Sequence, residues 1–199
     1  NDGGECRLFK VTAGGVLRLS YVHLRGGNVS TEACSGEEFS QCAGGLVFVA
    51  GSASLLHAVN SVFGTGALVQ PPTTKAAHWG GAIFARGHNH VILENSKIIG
   101  NWAVTEGGGL ALFSGSKATV VHSTFAGNTV SRVNGYAAGG AIAVVHNCTF
   151  SVVNSTIVKN VAPHNRGGGV TLRYGCSSSS PASYGCNKAI FFASEIRDN

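Results

Sequence analysis

Carboxylates are scarce in this chain. Only 12% of its 199 residues are charged, and its two aspartates, Asp2 and Asp198, stand near the two ends. The seven glutamates are scattered, and the closest pair, Glu37 and Glu38, falls in a long connection between apolar runs. Glycoside hydrolysis requires two carboxyl groups facing one substrate, and calcium sites are built largely from carboxylates. The sequence therefore argues against a glycoside hydrolase and weighs against a calcium-dependent lyase.

Other features are missing as well. No run of 18 apolar residues occurs, so we predict no transmembrane segment. No Thr-x-Thr occurs, which argues against the regular threonine array of an ice-binding face. The net charge of +5 is spread along the chain without a basic run or interleaved aromatic residues, so no nucleic-acid partner is indicated. That charge suits anionic glycans or an acidic partner.

Glycine, in contrast, is abundant, and many of its 29 copies follow a pattern. Glycine pairs open short apolar runs, and a closing phrase Ser-x-[Ile/Phe]-x-x-Asn ends four of the units. From the second glycine to the closing Asn is 20 residues in three units and 31 in the last. Such a spacing, kept through divergent sequence, indicates one structural unit repeated along the chain. The pairs begin at Gly14, Gly44, Gly80, Gly107, Gly139 and Gly167, and the closing residues are Asn101, Asn128, Asn160 and Asn199.

The apolar runs read as strands. Runs such as 16–19, 46–49, 118–121 and 170–173 are short, rich in β-branched residues and bounded by Gly, Asn or Ser. About three such strands fit in each unit, and coils of this size stack at roughly 4.8 Å into parallel sheets with right-handed connections. We therefore predict an all-β fold: one single-stranded, right-handed parallel β-helix over residues 1–199, a pectin-lyase-like solenoid of about six coils.

The repeat also assigns interior positions. Apolar residues just after the glycine pairs should stack inside the coils, and two sets of asparagines should form amide ladders that satisfy backbone groups at the turns. The apolar stack is Ile83, Leu110, Ile142 and Val170; one amide ladder is Asn60, Asn95 and Asn154, each followed by Ser; the other is formed by the closing asparagines.

The Gly-Gly-Ala-Ile motifs at 80–83 and 139–142, with the [Phe/Ile]-x-x-Asn motifs at 98–101, 125–128, 157–160 and 196–199, resemble a known family. They are similar to the repeats of chlamydial polymorphic outer membrane proteins and of β-helical surface proteins of algae and other protists. The resemblance covers residues 80–199 well and 1–79 loosely. It implies an extracellular surface or adhesive role and supplies no catalytic residues.

Both ends look like the middle of a repeat array. The first residues have no signal-peptide character, and the next glycine pair would be due after Asn199. Because solenoids need polar end caps, we expect a fragment of a longer repeat protein, with other extracellular proteins or further copies of the repeat against both ends. The connections of variable length collect at one edge, where binding is expected.

Six cysteines indicate an oxidising compartment. The Ser-rich insert of the last unit has a cysteine at each foot, which suggests a local bridge from Cys176 to Cys186, and Cys34 and Cys42 share another long connection. Cys148 and Cys176 both lie eight residues after their second glycine, so Cys148 could instead pair with Cys176 or Cys186. With Cys6, the six residues allow 15 connectivities, and the sequence does not choose among them.

Three sequons are candidate glycosylation sites: Asn28, Asn147 and Asn154. Asn28 is the best candidate, because Asn154 belongs to a predicted inward ladder.

One group of neighbouring residues could form a binding or catalytic site. Arg86, His88 and His90, with Trp79 nearby, could serve a calcium-free polysaccharide lyase or a glycan-binding module, and His-x-His on one face of a strand also suits a metal, although a third ligand is not evident. We favour a reading without an enzyme, cofactor or metal: an extracellular or cell-surface β-helix segment of a larger protein or assembly, which presents loops for adhesion or acts as a stiff spacer. The alternative is a protein that binds or cleaves an anionic polysaccharide.

Overall fold

The computed structural model describes residues 7–27, 43–64, 77–131, 138–163, 167–173 and 186–199. In this part of the chain the regular structure consists of short parallel strands, as the glycine-rich and β-branched composition predicts. The strands form three six-stranded sheets, which we call A, B and C, and a three-stranded sheet D.

The strand bounds are as follows. Sheet A contains β1 (Phe9–Val11), β4 (Val47–Ala50), β8 (Ile83–Arg86), β12 (Leu110–Phe113), β16 (Ile142–Val145) and β19 (Val170–Arg173). Sheet B contains β2 (Val16–Ser20), β5 (Leu55–Val59), β9 (His90–Glu94), β13 (Lys117–Val121), β17 (Thr149–Val153) and β20 (Lys188–Phe192). Sheet C contains β3 (His23–Leu24), β6 (Val62–Gly64), β10 (Lys97–Ile99), β14 (Thr124–Ala126), β18 (Thr156–Val158) and β21 (Glu195–Arg197). Sheet D contains β7 (Ala77–Trp79), β11 (Trp102–Glu106) and β15 (Thr129–Val130).

Each coil supplies one strand to sheet A, then one to B, then one to C. In these sheets each strand pairs in parallel with the equivalent strand of the adjacent coils, and those of coils two to five have a neighbour on both sides; Leu110, for example, lies between Ile83 and Ile142. Six coils result. The predicted parallel β-helix is confirmed, and its six coils are numbered one to six in chain order below.

The predicted apolar stack is confirmed as part of the core. Ile83, Leu110 and Ile142 are fully buried, and Val170 in coil six is partly buried against the same cluster. Side chains from sheets B and C complete the interior, including Phe63, Phe125 and Phe150, which are also fully buried. Alternation along each strand directs every second residue inward, so three sheets enclose one continuous core.

The ladder of closing asparagines is confirmed. The Nδ2 of Asn101 donates to Oδ1 of Asn128 at 3.0 Å, Asn128 donates in the same way to Asn160 at 2.9 Å, and Asn160 to Asn199 at 2.9 Å. Each amide also donates to a carbonyl of the preceding coil, such as Ile98 for Asn128 at 2.8 Å. The buried backbone groups of this turn are therefore satisfied by side chains.

The second predicted ladder is wrong. Asn60, Asn95 and Asn154 are exposed, and their φ angles of 49°, 47° and 47° place them in the left-handed conformation. Asparagine adopts this conformation at lower cost than most residues, so its role here is to turn the corner between sheets B and C. The inward ladder at this corner belongs to the following serines, whose Oγ accepts the backbone N–H of the preceding coil: Ser61, Ser96, Ser123, Ser155 and Ser194.

Glycine pairs open sheet A in coils two to six. Gly108 shows why the second member admits no side chain, because an added Cβ would lie 2.3 Å from the Gly140 carbonyl oxygen of the next coil. The assignment of Gly14 to this position in coil one is wrong. Its following strand, β2, pairs with β5 in sheet B rather than with sheet A, and coil one enters sheet A through the short run Phe9–Val11.

Candidate functional site

The four residues proposed as a glycan or lyase site divide between two regions. Trp79 ends β7 in sheet D, and its indole packs edge-on against Phe113 of sheet A with ring centroids 6.5 Å apart. Arg86 is the exposed last residue of β8 in sheet A. His88 is in the turn that follows, with φ 56°, and His90 begins β9 in sheet B. Trp79 and Arg86 are therefore associated with sheet A, whereas the two histidines lie at the corner leading to sheet B.

His88 and His90 share a shallow groove of about 430 Å³ at this corner. The His88 ring lies against the backbone of Gly115, where an added Cβ would be 2.5 Å from the imidazole Cε1. Neither Trp79 nor Arg86 lines the groove. Its lining is Ala53, Ser54, Leu55, His88, Asn89, His90, Gly115 and Lys117.

His90 is held by its neighbours in the groove. Its Nε2 is 2.9 Å from Oγ1 of Thr119, and Lys117 is its register partner in the next coil. Burial lowers the pKa of His90, and the charges of Lys117 and His57 lower it further. The imidazole is therefore biased towards its neutral form, in which one ring nitrogen donates and the other accepts a hydrogen bond.

A polar row crosses the outer face of sheet B beside this groove. Nη1 of Arg18 is 3.3 Å from Nδ1 of His57, and Nε2 of His57 is 3.2 Å from Oε1 of Glu94. Because Arg18 can only donate, the arrangement selects the His57 tautomer that accepts at Nδ1 and donates from Nε2 to Glu94. This row connects coils one, two and three, and Glu94 is the one described carboxylate in it.

The outer face of sheet A carries an aromatic cluster. Phe48 stacks on Phe84 with centroids 5.5 Å apart, and Phe84 contacts Phe113 at 5.3 Å. The Arg7 guanidinium lies 4.6 Å from the Phe48 ring centroid, where a cation–π contact is favourable. The three phenylalanine side chains are buried although they point away from the interior of the coil. Sheet A therefore packs on both faces.

A buried ion pair lies on the same side of the molecule and was missed by the sequence reasoning. Nη1 of Arg173 in coil six pairs with Oε1 of Glu106, which ends β11 and is 3% exposed. The other carboxylate oxygen, Oε2, is buried without a hydrogen-bond partner in the described part of the chain. Burial raises the pKa of Glu106, and the Arg173 charge opposes that shift.

Perturbed carboxyl groups mark functional sites in many proteins, yet among the described residues no second carboxylate lies beside Glu106, and Glu106 does not line the groove of His88 and His90. The pair ties the strand before the fourth glycine pair to coil six. In the sequence, Glu106 is distinguished by its position directly before Gly107 in a chain poor in carboxylates. The spacing between Glu106 and Arg173 gives no indication that the two side chains form an ion pair.

The described residues hold no group of three or more His, Cys, Asp or Glu side chains that could bind a metal. The same ranges include no helix long and apolar enough to cross a bilayer.

The cysteine predictions have mixed outcomes. Cys186 is in a disulfide, whereas Cys148 is a free, buried thiol, so the alternative in which Cys148 pairs with Cys176 or Cys186 is wrong. The reason is the register, because the position next to Cys148 is occupied by Asn187, whose Oδ1 accepts the Cys148 backbone N–H at 2.9 Å. Burial raises the pKa of Cys148 to about 11, and its Sγ donates to the Val145 carbonyl at 3.1 Å. The remaining candidates lie outside the described residues: Cys6, Cys34, Cys42 and Cys176.

Two of the three sequons lie in the described residues, and both asparagines are exposed. Asn147 is in the turn between sheets A and B, with φ 57°, and Asn154 is at the corner between sheets B and C. The expectation that Asn154 is turned inward is wrong for the reason given above. Asn28 lies outside the described residues.

Among sequence models of protein families, the one described as a right-handed β-helix region matches residues 22–184. No curated protein and no solved structure matches the chain. The match supplies the hand of the coils and says nothing of a ligand.

Proposed function

The chain belongs to the family with a right-handed β-helix region, and on that premise we propose that it is a non-catalytic structural or adhesive segment of a larger extracellular or cell-surface protein or assembly. The observation that carries this proposal is the uninterrupted register of sheets A, B and C from coil one to coil six. Every coil is bonded to its neighbours by strands and by side-chain ladders. Such a rod resists bending without a large globular core and suits a spacer or a platform for loops.

The distribution of reactive groups supports a role without catalysis. The described carboxylates are Glu94, Glu106, Glu195 and Asp198; Glu94 and Glu106 are engaged by His57 and Arg173, and the other two by Arg197. A general acid and base require two titratable groups that face a common substrate. The residues proposed for a lyase are also separated, because Trp79 and Arg86 are associated with sheet A and the two histidines lie at the corner that leads to sheet B.

The extracellular location is supported by chemistry of the described residues. Disulfides persist in oxidising compartments, and Cys186 is in one. Asn147 and Asn154 are exposed sequon asparagines at turns, where an added glycan would displace no packed side chain. The finer likeness to chlamydial polymorphic outer membrane proteins depends on the short repeated motifs alone and stays a prediction.

A second function, binding of an anionic polysaccharide, is favoured by one observation. His88, His90 and Lys117 line the same open groove, whose volume of about 430 Å³ lies within the usual range for small-ligand sites. Protonation of His90 would add to the Lys117 charge, so this binding is expected to strengthen as pH falls. The neutral state favoured by the low pKa of His90 makes this the weaker of the two functions near neutral pH.

The primary proposal is tested on native material by cross-linking and mass spectrometry, without purification to a monomer. We expect cross-links from the chain to other extracellular proteins, and glycan-modified peptides that contain Asn147 or Asn154. A chain recovered alone and unmodified from inside cells would overturn the proposal. The second function is tested by affinity for polygalacturonate, with His88→Ala expected to weaken binding and His122→Ala, outside the groove, as the matched control.

A further inference from the structure

One column of turn residues runs along the corner between sheets A and B. Its place in each coil follows from the register of sheet B, in which His90, Lys117 and Thr149 are partners in coils three, four and five. The residues two places before these partners therefore occupy one turn position in successive coils, and their φ angles of 56°, 79° and 57° are all left-handed. They are His88, Gly115 and Asn147.

Gly115, the middle member, leaves the space between its two neighbours free of a side chain. On one side the exposed imidazole of His88 lies against the Gly115 backbone, where an added Cβ would be 2.5 Å from Cε1 of the ring. On the other side the Gly115 N–H donates at 3.0 Å to the carbonyl of His146, which directly precedes Asn147. His88 and Asn147 are therefore separated only by a residue without a side chain.

The groove at this corner extends to coil four, where Gly115 and Lys117 line it. The sequon of residues 147–149 borders it in coil five, because Asn147 and Thr149 are the counterparts of those two residues. Neighbouring strands of a sheet are about 4.8 Å apart, which is less than the breadth of a sugar ring with its substituents. Asn147 is exposed, so a sugar bonded to its side chain reaches the edge of the groove.

We propose that Asn147 carries an N-linked glycan whose first sugars lie over the groove of His88 and Lys117 and close it to other ligands. In this modification Nδ2 of Asn147 bonds to C1 of the first sugar, the bond from C1 to a lipid-linked diphosphate breaks, and Nδ2 releases a proton. The inference rests on the proposed extracellular location. It adds a control on the second function, because the glycan and an anionic polysaccharide compete for one surface.

The second described sequon provides the contrast. Asn154 is at the corner between sheets B and C, on the far side of β17 (Thr149–Val153). Its neighbour one coil earlier is His122, whose N–H donates to the Val153 carbonyl at 3.0 Å. A glycan on Asn154 therefore lies beside His122 and the width of a sheet away from His88. Both imidazoles are exposed, so each reports on its own corner.

The test uses the full chain secreted from a eukaryotic host, with the glycan on each sequon identified by peptide mass spectrometry. Diethyl pyrocarbonate modifies accessible imidazoles, and its rates at His88 and His122 are measured in the same sample. We expect Asn147→Gln, which removes the glycan, to raise the His88 rate at least fivefold and to leave the His122 rate unchanged. The matched control Asn154→Gln should leave the His88 rate within twofold of that of the unsubstituted chain.

A second variant guards against a folding defect at the turn. Thr149→Ala removes the same sequon while it keeps Asn147, so it should raise the His88 rate to the same extent, with an unchanged circular dichroism spectrum. Equal His88 rates with and without the glycan overturn the inference. So does a secreted chain in which Asn147 is unmodified.

Affinity for polygalacturonate, measured on the same proteins, separates this inference from the functions on which it builds. It should rise at least fivefold when the Asn147 glycan is removed, and a measurable affinity that does not rise shows that the glycan leaves the groove open, which also overturns the inference. If no form binds while the His88 rate still rises, the second function fails and the covering of the groove stands. Neither readout depends on the native partners sought by cross-linking, so a failure of the primary proposal is recognised separately.

Discussion

Replacing Asn128 by alanine removes the centre of the asparagine ladder. The side-chain amide donates to the Ile98 carbonyl at 2.8 Å and to Oδ1 of Asn160 at 2.9 Å. Its Oδ1 accepts from the backbone N–H and the Nδ2 of Asn101 at 3.1 and 3.0 Å. Asn128 is fully buried, so water cannot replace the lost partners in the folded protein. Four hydrogen bonds across three coils depend on this one side chain.

The magnitude follows from the groups left behind. A net hydrogen bond contributes about 1 kcal/mol, and a buried group left unsatisfied costs about 1–3 kcal/mol. The substitution orphans two donors of Asn101, whereas Oδ1 of Asn160 keeps the Asn128 backbone N–H at 2.9 Å. We expect the free energy of unfolding to fall by about 3–5 kcal/mol, against a total of about 5–15 kcal/mol for a typical domain.

Equilibrium urea denaturation, followed by circular dichroism and tryptophan fluorescence, measures this loss. The matched control is Asn95→Gly, which removes an exposed amide at a left-handed corner (φ 47°) that glycine adopts without strain. It should cost less than about 1 kcal/mol, because no buried partner is orphaned. A loss for Asn128→Ala below about 1 kcal/mol, or equal to that of the control, would refute the view that the ladder stabilises the coils.

Three further predictions follow from buried positions. Gly108→Ala forces a Cβ to 2.3 Å from the Gly140 carbonyl oxygen and should reduce the thermal midpoint of unfolding or prevent folding. In the control Gly14→Ala the added Cβ would meet no atom within 4 Å, so this variant should lose only the stability that the strain of its positive φ costs. Burial raises the pKa of the Glu106 carboxyl above its ordinary 4.5, so the proton that Glu106 binds stabilises the folded state fully below pH 4.5, and this stabilisation is lost as pH rises through the raised pKa. In Glu106→Gln this part of the curve of unfolding free energy against pH should be flatter. An unchanged slope would contradict the raised pKa of Glu106. The Cys148 thiol, with its pKa raised to about 11, should resist alkylation in the native protein and react on unfolding, and rapid native labelling would contradict its burial.

The repeat could be predicted from sequence because its positions are set by short-range geometry. A glycine pair, an alternating run and a closing asparagine each require one residue type at one place, and their recurrence fixed the coil and the ladder. The outer asparagines were placed wrongly because spacing shows that a residue recurs but not which way it points. Asn60 and Ser61 are adjacent, so an error of one residue exchanges outside for inside.

Contacts made between distant segments could not be predicted. The Glu106–Arg173 pair joins sheet D to coil six. Both positions recur in other coils, but their register partners Ala138 and Val145 are uncharged, so the repeat gives no sign of an ion pair. The free state of Cys148 follows from the register of coil six, where the insert before Cys186 shifts the alignment and brings Asn187 beside it. Cys148 and Cys176 both lie eight residues after the second glycine of their pair, so spacing alone would have placed Cys176 beside Cys148. Insertions thus break the correspondence between distance along the chain and position in the coil.

The direction of the hydrogen bonds between coils has a mechanical consequence. In a stack of parallel coils these bonds lie along the long axis of the rod, since each joins a coil to the next. A tensile force applied to the two ends therefore loads the coil–coil interfaces in series, and the weakest one yields first.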